Sequence, residues 1–164
     1  MSKMLCSNCG TEGRVVRGNH RFDEAGVPVM LQGIKLVRCP KCRNEDPIIP
    51  NVNDLMKVLA LAVACKPYRL RGEDVRFLRK YLSMNGDGFA RLIHVDRTTL
   101  SKWETNDDPV GEQSDRLIRL IALSLGEGLR EKLVEAIRSF PSIRKQPRKV
   151  RINMDPAKMS YAYA

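Results

Sequence analysis

Four of the five cysteines form two Cys-x-x-Cys pairs, a spacing that is typical of metal binding. Each pair can direct two thiolates toward one ion, and two pairs complete a tetrahedral Zn(Cys)4 site with no open coordination position. We therefore expect one structural Zn²⁺ per chain rather than a catalytic metal. The expected ligands are Cys6, Cys9, Cys39 and Cys42.

Other chemistry is compatible with the same thiols. A redox dithiol needs one Cys-x-x-Cys pair in a thioredoxin-like setting, which the sequence lacks. An iron–sulfur cluster also uses four cysteines, and His20 is a further candidate ligand.

No Gly-rich phosphate loop, His-Glu-x-x-His helix or Ser-His-Asp set is present. We therefore expect a protein that is not an enzyme.

A second stretch, residues 85–104, has the residue types of a DNA-reading element. Its apolar spacing predicts two short helices joined by a tight turn, and Asp96 is a candidate N-cap for the second helix. That helix would expose cationic and hydrogen-bonding groups near its N-terminal end, which suits the DNA major groove. The exposed residues would be Arg97, Thr98, Ser101 and Lys102. The alternative is an ordinary helical hairpin with a solvated polar face.

Charge favours a polyanionic partner. The 164 residues carry a formal net charge of +10, which is compatible with DNA, RNA, the ribosome or an anionic membrane surface. The longest apolar run, residues 58–65, is too short to span a bilayer, and no signal peptide precedes Cys6. Together with metal-type cysteines, these features predict a cytoplasmic protein with no membrane partner.

The fold class we expect is α+β, with a small Zn(Cys)4 β-ribbon domain at residues 1–50. The ribbon would be too small to fold without its metal. Residues 23–26 and the pair Gln32-Gly33 read as turns. The strands that they separate are predicted over residues 14–17, 19–22, 27–31 and 34–38.

Helical periodicity dominates the rest of the chain. Residues 51–68 predict a linker helix that is apolar on more than one side. Residues 69–140 predict an all-α domain that contains the DNA-reading stretch. Residues 141–164 lack helical periodicity and are rich in lysine and arginine, so we expect a basic, flexible tail.

Residues 71–123 resemble the XRE, or lambda-repressor-like, helix-turn-helix family. The matching residues are Val75, Leu78, Arg79, Asn85, Phe89, Ala90, Arg91, Leu92, Val95, Leu100, Ser101, Trp103, Glu104 and Pro109. With the cysteine pairs in front of it, the chain looks like the MqsA family of zinc-ribbon/helix-turn-helix antitoxins, the YgiT type. This resemblance covers about residues 4–125.

The resemblance implies a homodimer that binds double-stranded DNA at a palindromic operator. It implies that Arg97, Thr98 and Lys102 reach base edges, with Thr99 and Ser101 close to sugar or phosphate. It also implies a toxin partner, a small ribonuclease held by the zinc domain. Some residues depart from the family pattern, so we expect the DNA sequence bound to differ from that of the best-known members. These residues are Gly86, His94, Thr98, Lys102, Asp107 and Asp108.

Three functions follow as expectations. The first is a DNA-binding repressor that acts as the antitoxin of a type II toxin–antitoxin pair and represses its own operon. The second is a stand-alone zinc-ribbon/helix-turn-helix regulator without a toxin. The third is an RNA- or ribosome-associated zinc-ribbon protein in which the helix-turn-helix pattern is a coincidence.

Overall fold

A computed structural model describes residues 4–145 and 150–164 of the chain. In this part the chain is α+β, as expected, with six α-helices and a curled sheet. The strands are β1 (Met4–Leu5), β2 (Glu12–Arg21), β3 (Val29–Arg38), β4 (Glu45–Ile48), β5 (Ile152–Asp155) and β6 (Ser160–Tyr163). The helices are α1 (Val52–Ala64), α2 (Gly72–Tyr81), α3 (Gly86–Leu92), α4 (Arg97–Thr105), α5 (Glu112–Leu125) and α6 (Leu133–Ser139).

Strand β3 is the centre of the sheet, whose order is β1-β2-β3-β5-β6 with β4 also paired to β3. The expected turn at Gln32-Gly33 is wrong, because β3 runs through these residues. They form a bulge opposite Asn19, and Gly33 takes the left-handed φ of +65° that this bulge needs. The Asn19 side-chain oxygen accepts from the Gly33 N–H at 3.1 Å, so the bulge is fixed by a side chain.

The expectation of a flexible tail at residues 141–164 is wrong for residues 152–163, which contain β5 and β6. Strand β5 pairs in parallel with β3, and β6 pairs antiparallel with β5. Ile152 and Met154 alternate into the core, and the Tyr163 hydroxyl donates to the Ala62 carbonyl at 2.7 Å. Each of these strands has only four residues. Apolar residues that alternate over so short a stretch predict a strand only weakly, and the neighbouring basic residues favoured a tail instead. Arg148 and Lys149, part of the expected basic tail, lie outside the described residues.

Helix α1 is a central packing element, not a linker between two domains. It packs against α2, α5 and β6, and its buried residues are Leu55, Leu59, Ala60, Ala62, Val63 and Ala64. One continuous cluster of buried side chains includes Leu31 and Leu36 of the sheet, Leu59 of α1 and Leu100 of α4. The expected boundary at residue 50 therefore does not separate two hydrophobic cores.

Arg119 of α5 fixes the C-terminal end of α1. Its side chain is 1% exposed, and its guanidinium donates to the carbonyls of Ala64, Lys66 and Tyr68 at 2.9, 2.7 and 2.5 Å. Asp115 accepts from Arg119 at 2.7 Å and from the Leu70 N–H at 2.6 Å. Carbonyls at a helix end have no partner within the helix. The Arg119–Asp115 pair supplies hydrogen-bond partners for backbone groups between the end of α1 and the start of α2.

Helices α2 and α4 are held by a second buried ion pair. Glu104 accepts from Arg79 through both carboxylate oxygens, at 2.6 and 3.1 Å. Arg79 also donates to the Met84 carbonyl in the turn after α2. At the N-terminus of α2, a Cβ on Gly72 would overlap the Trp103 backbone oxygen. Glycine therefore permits the close approach that fixes α4 against α2.

We expect Arg119→Met to destabilise the whole protein by about 3–5 kcal/mol, because it leaves Asp115 buried and uncompensated. Arg119→Lys should also be destabilised, since an ammonium cannot reproduce the forked contacts of a guanidinium. Urea denaturation measures the free energy of unfolding. Arg116→Met, an exposed change on the same helix, is the matched control. Equal stability of the Arg119 and Arg116 variants would contradict the role given to Arg119.

Candidate functional site

The sheet brings the four predicted cysteine ligands together. All four sulfur atoms lie within 4.8 Å of one another. The Sγ atoms of Cys6 and Cys42 are 3.5 Å apart, and so are those of Cys9 and Cys39. A tetrahedron with zinc–sulfur bonds of about 2.3 Å has sulfur–sulfur edges of about 3.8 Å. The group therefore has the size of a Zn(Cys)4 site.

The two cysteine turns have the same backbone design. In the first, the Cys6 N–H donates to the Thr11 carbonyl and the Gly10 N–H donates to the Cys6 carbonyl. In the second, the Cys39 N–H donates to the Asn44 carbonyl and the Arg43 N–H donates to the Cys39 carbonyl. Gly10 and Arg43 both have left-handed φ values, +69° and +60°. This conformation turns the chain back so that both thiols of each pair face one point.

Polar residues that the sequence analysis did not single out join the two turns. The Asp46 carboxylate accepts from the Ser7 N–H at 3.0 Å and from the Ser7 hydroxyl at 2.5 Å. The Asn44 amide donates to Asp46 at 2.7 Å and lies 3.8 Å from the Cys6 sulfur. The hydrogen bonds from Ser7 lower the pKa of Asp46. The sequence feature that could have indicated these contacts is the polar run directly after the second cysteine pair, residues 43–46.

The Cys9 thiol is suited to bind a metal as a thiolate. Cys6 and Cys39 are buried, 3% and 1% exposed, whereas Cys9 is at the surface. Hydrogen bonding to the Thr11 side chain, then to its backbone, then to Cys39, lowers the pKa of Cys9 to about 6. A thiol with this pKa is ionised at neutral pH, and the thiolate is the form that binds metal. The donor set thus fits one zinc-type ion, which would stabilise the turns.

The predicted DNA-reading stretch forms α3, a turn at residues 93–96, and α4. Asn85 caps α3 by accepting from the Gly88 N–H at 2.7 Å. His94 has a φ of +56°, and the Val95 N–H donates to the Ala90 carbonyl. Asp96 occupies the N-cap position of α4, but its side chain makes no cap hydrogen bond. The expected side-chain cap at Asp96 is therefore wrong.

One edge of α4 carries the five residues expected to contact DNA. Arg97, Thr98, Ser101 and Lys102 are exposed, and Thr99 is half-buried. The opposite side of the helix is anchored by Leu100, Trp103 and Glu104, which are all buried.

Carboxylates lie close to both cations of this edge. Arg97 Nε is 3.5 Å from an Asp87 oxygen, and a Cβ on Gly86 would lie only 2.5 Å from Arg97 Nε. Arg97 therefore lies over the N-terminus of α3. Lys102 Nζ is 3.6 Å from an Asp108 oxygen. The α4 edge thus exposes polar groups, but its positive charge is partly neutralised within the protein.

No protein-family model, curated protein or solved structure matches this chain. In the part of the chain that the structure describes, no helix is long and apolar enough to cross a membrane.

We expect the protein to bind one zinc ion per chain, and Cys6→Ser to lose the metal and the order of the two cysteine turns. Three thiolates with one weak hydroxyl hold zinc less tightly than four thiolates, and the two cysteine turns would be joined by the metal. Elemental analysis and thermal unfolding measure the two effects. Cys65→Ser is the control, because Cys65 lies outside the four-cysteine group. Full zinc content in Cys6→Ser would contradict the assignment.

We expect Thr11→Val to make zinc release more sensitive to acid. Without the Thr11 hydroxyl, the pKa of Cys9 rises from about 6 toward its ordinary value. Protons then compete with the metal at a higher pH, so the midpoint of zinc release moves up. A chromophoric chelator in a pH titration follows the release. An unchanged midpoint would show that the hydroxyl does not stabilise the thiolate.

Proposed function

We propose that this protein is a sequence-specific DNA-binding transcriptional regulator whose reading element is the exposed edge of α4. In this proposal α3 and α4 are a helix-turn-helix, and a structural zinc ion holds the ribbon. The observation that carries the proposal is the combination of a short helix exposed on one edge and buried on the other, after a tight left-handed turn. Such a helix can enter the major groove with its N-terminal residues toward the bases.

The chemistry of the α4 edge supports direct reading of bases. Arg97 and Lys102 can donate to guanine, and the Thr98 hydroxyl can donate or accept. Thr99 and Ser101 suit contacts to sugar or phosphate. These groups sit on a rigid support, since the pair Arg79–Glu104 and the close approach at Gly72 fix α4 against α2. A fixed helix loses little conformational entropy on binding.

Exposed apolar side chains support a homodimer. Val134 and Ile137 lie one turn apart on α6 and are 59% and 46% exposed. Leu125, at the end of α5, is 61% exposed. A second copy is the natural partner for such apolar residues in a protein that binds a palindromic operator, because each half-site then receives one α4.

Selection of genomic DNA fragments by the purified, zinc-loaded protein tests the proposal. We expect enrichment of a palindromic sequence. Lys102→Ala should weaken binding to that sequence by about 1–3 kcal/mol, roughly 5- to 150-fold, while a random duplex loses much less. Lys80→Ala, which removes an exposed lysine from α2, is the matched control. Failure to enrich any sequence, or unchanged affinity and preference in Lys102→Ala, would overturn the proposal.

The resemblance to MqsA-type antitoxins supports a narrower form, in which the protein represses its own operon and also binds a small ribonuclease toxin. In the alternative form it is a stand-alone regulator. Co-expression with the adjacent reading frames separates the two. A ribonuclease that co-elutes and is inhibited favours the antitoxin. Operator binding without any such partner favours the stand-alone regulator.

A further inference from the structure

Most of the net positive charge lies outside residues 69–140, the helical part of the chain that contains α2 to α6. Residues 69–140 hold 13 lysines and arginines against 12 aspartates and glutamates, although the whole chain has a net charge of +10. Affinity for duplex DNA depends on the number of phosphates that cations neutralise. The helical part thus supplies little net attraction, and the Arg97–Asp87 and Lys102–Asp108 pairs reduce it further at the α4 edge.

The ribbon, in contrast, brings like charges together. In the β2–β3 register Arg14 lies directly opposite Arg38, a cross-strand arrangement that is unfavourable for two cations. Glu45 compensates only Arg38, at 2.7 Å. Among the described residues, neither Arg14 nor Arg43 has a carboxylate within salt-bridge distance. An external anion would relieve this repulsion.

The same three arginines line one concave surface, which we name the arginine concavity. Its volume is about 630 Å³. Its lining residues are Arg14, Val16, Arg38, Cys39, Pro40, Arg43 and Glu45. Two parts of the fold position the arginines: β2 and β3 carry Arg14 and Arg38, and the second cysteine turn carries Arg43 in its left-handed conformation. The concavity is therefore fixed by the sheet and by the metal-binding turn.

We propose that the arginine concavity binds the phosphate backbone of duplex DNA and provides anchoring that the α4 edge lacks. Guanidinium groups bind phosphate through paired N–H donors, and the two uncompensated arginines, Arg14 and Arg43, suit neighbouring phosphates of a strand. The choice of DNA as the polyanion rests on the function proposed above.

The salt dependence of binding tests this role. The double variant Arg14→Gln/Arg43→Asn removes two uncompensated arginines, and asparagine tolerates the left-handed φ of residue 43. The control Arg116→Gln/Arg130→Gln removes two exposed arginines of the helical part, so both variants lose the same net charge. Fluorescence anisotropy with a 30-bp duplex of random sequence, at several salt concentrations, gives the slope of log K against log [salt]. Zinc content and circular dichroism establish that each variant is folded.

We expect the slope to become less steep by about 2 in the Arg14/Arg43 variant, since each phosphate contact contributes about 0.9. The control should keep the wild-type slope. Wild-type slopes in both variants would overturn the role of the concavity, and so would tighter binding of single-stranded RNA than of the duplex through the same arginines.

The two proposals fail in different ways. Sequence preference that depends on Lys102, with a slope independent of Arg14 and Arg43, would leave the regulator and overturn the concavity. A slope that depends on Arg14 and Arg43, without any sequence preference, would leave the concavity and overturn the regulator. Absence of duplex binding by the wild-type protein would overturn both.

Discussion

The buried guanidinium of Arg119 is the contact on which the arrangement of the molecule depends. It satisfies three carbonyls where α1 ends, and these would otherwise be buried without donors. Through Asp115 it also orders the start of the segment that leads into α2. Because α1 contacts β6 of the sheet as well as α2 and α5, this single cation holds the end of a helix that connects the sheet to the helical part. Two modules joined by a mobile linker would lack this constraint.

Buried ion pairs hold the helical part together, whereas two arginines of the ribbon have no carboxylate partner among the described residues. In the helices, Lys66 with Asp74, Arg79 with Glu104 and Arg119 with Asp115 are buried and matched. Such pairs favour one geometry because breaking one leaves a buried charge. In the ribbon, cations at Arg14 and Arg43 lack such partners among the described residues. In the functions proposed above, specificity and electrostatic affinity for DNA belong to different surfaces of one fold.

The four-cysteine group connects the expected metal site to the arginine concavity. Ser7, Asn44 and Asp46 join the two turns directly, so zinc binding would order β4 and the start of β2 together. The turn that carries Cys39 and Cys42 also carries Arg43. A protein without metal would lose the arginine concavity before it lost the helical core, because the helices make their own buried contacts.

The amino-acid sequence by itself determined the local features. The cysteine spacing predicted the ligand group, and the spacing of Phe89, Leu100 and Trp103 predicted α3 and α4, because these signals repeat over short distances. The sequence was also compatible with the left-handed φ of His94, because histidine tolerates positive φ better than most residues. Only the tertiary structure decided the rest: the pairing of β5 with β3, the burial of Arg119, and the carboxylates beside Arg97 and Lys102. Each of these joins residues far apart in the chain or depends on the exact direction of a side chain. Local periodicity carries no information about such contacts, so the sequence alone suggested a linker and a free tail where the fold has a single core.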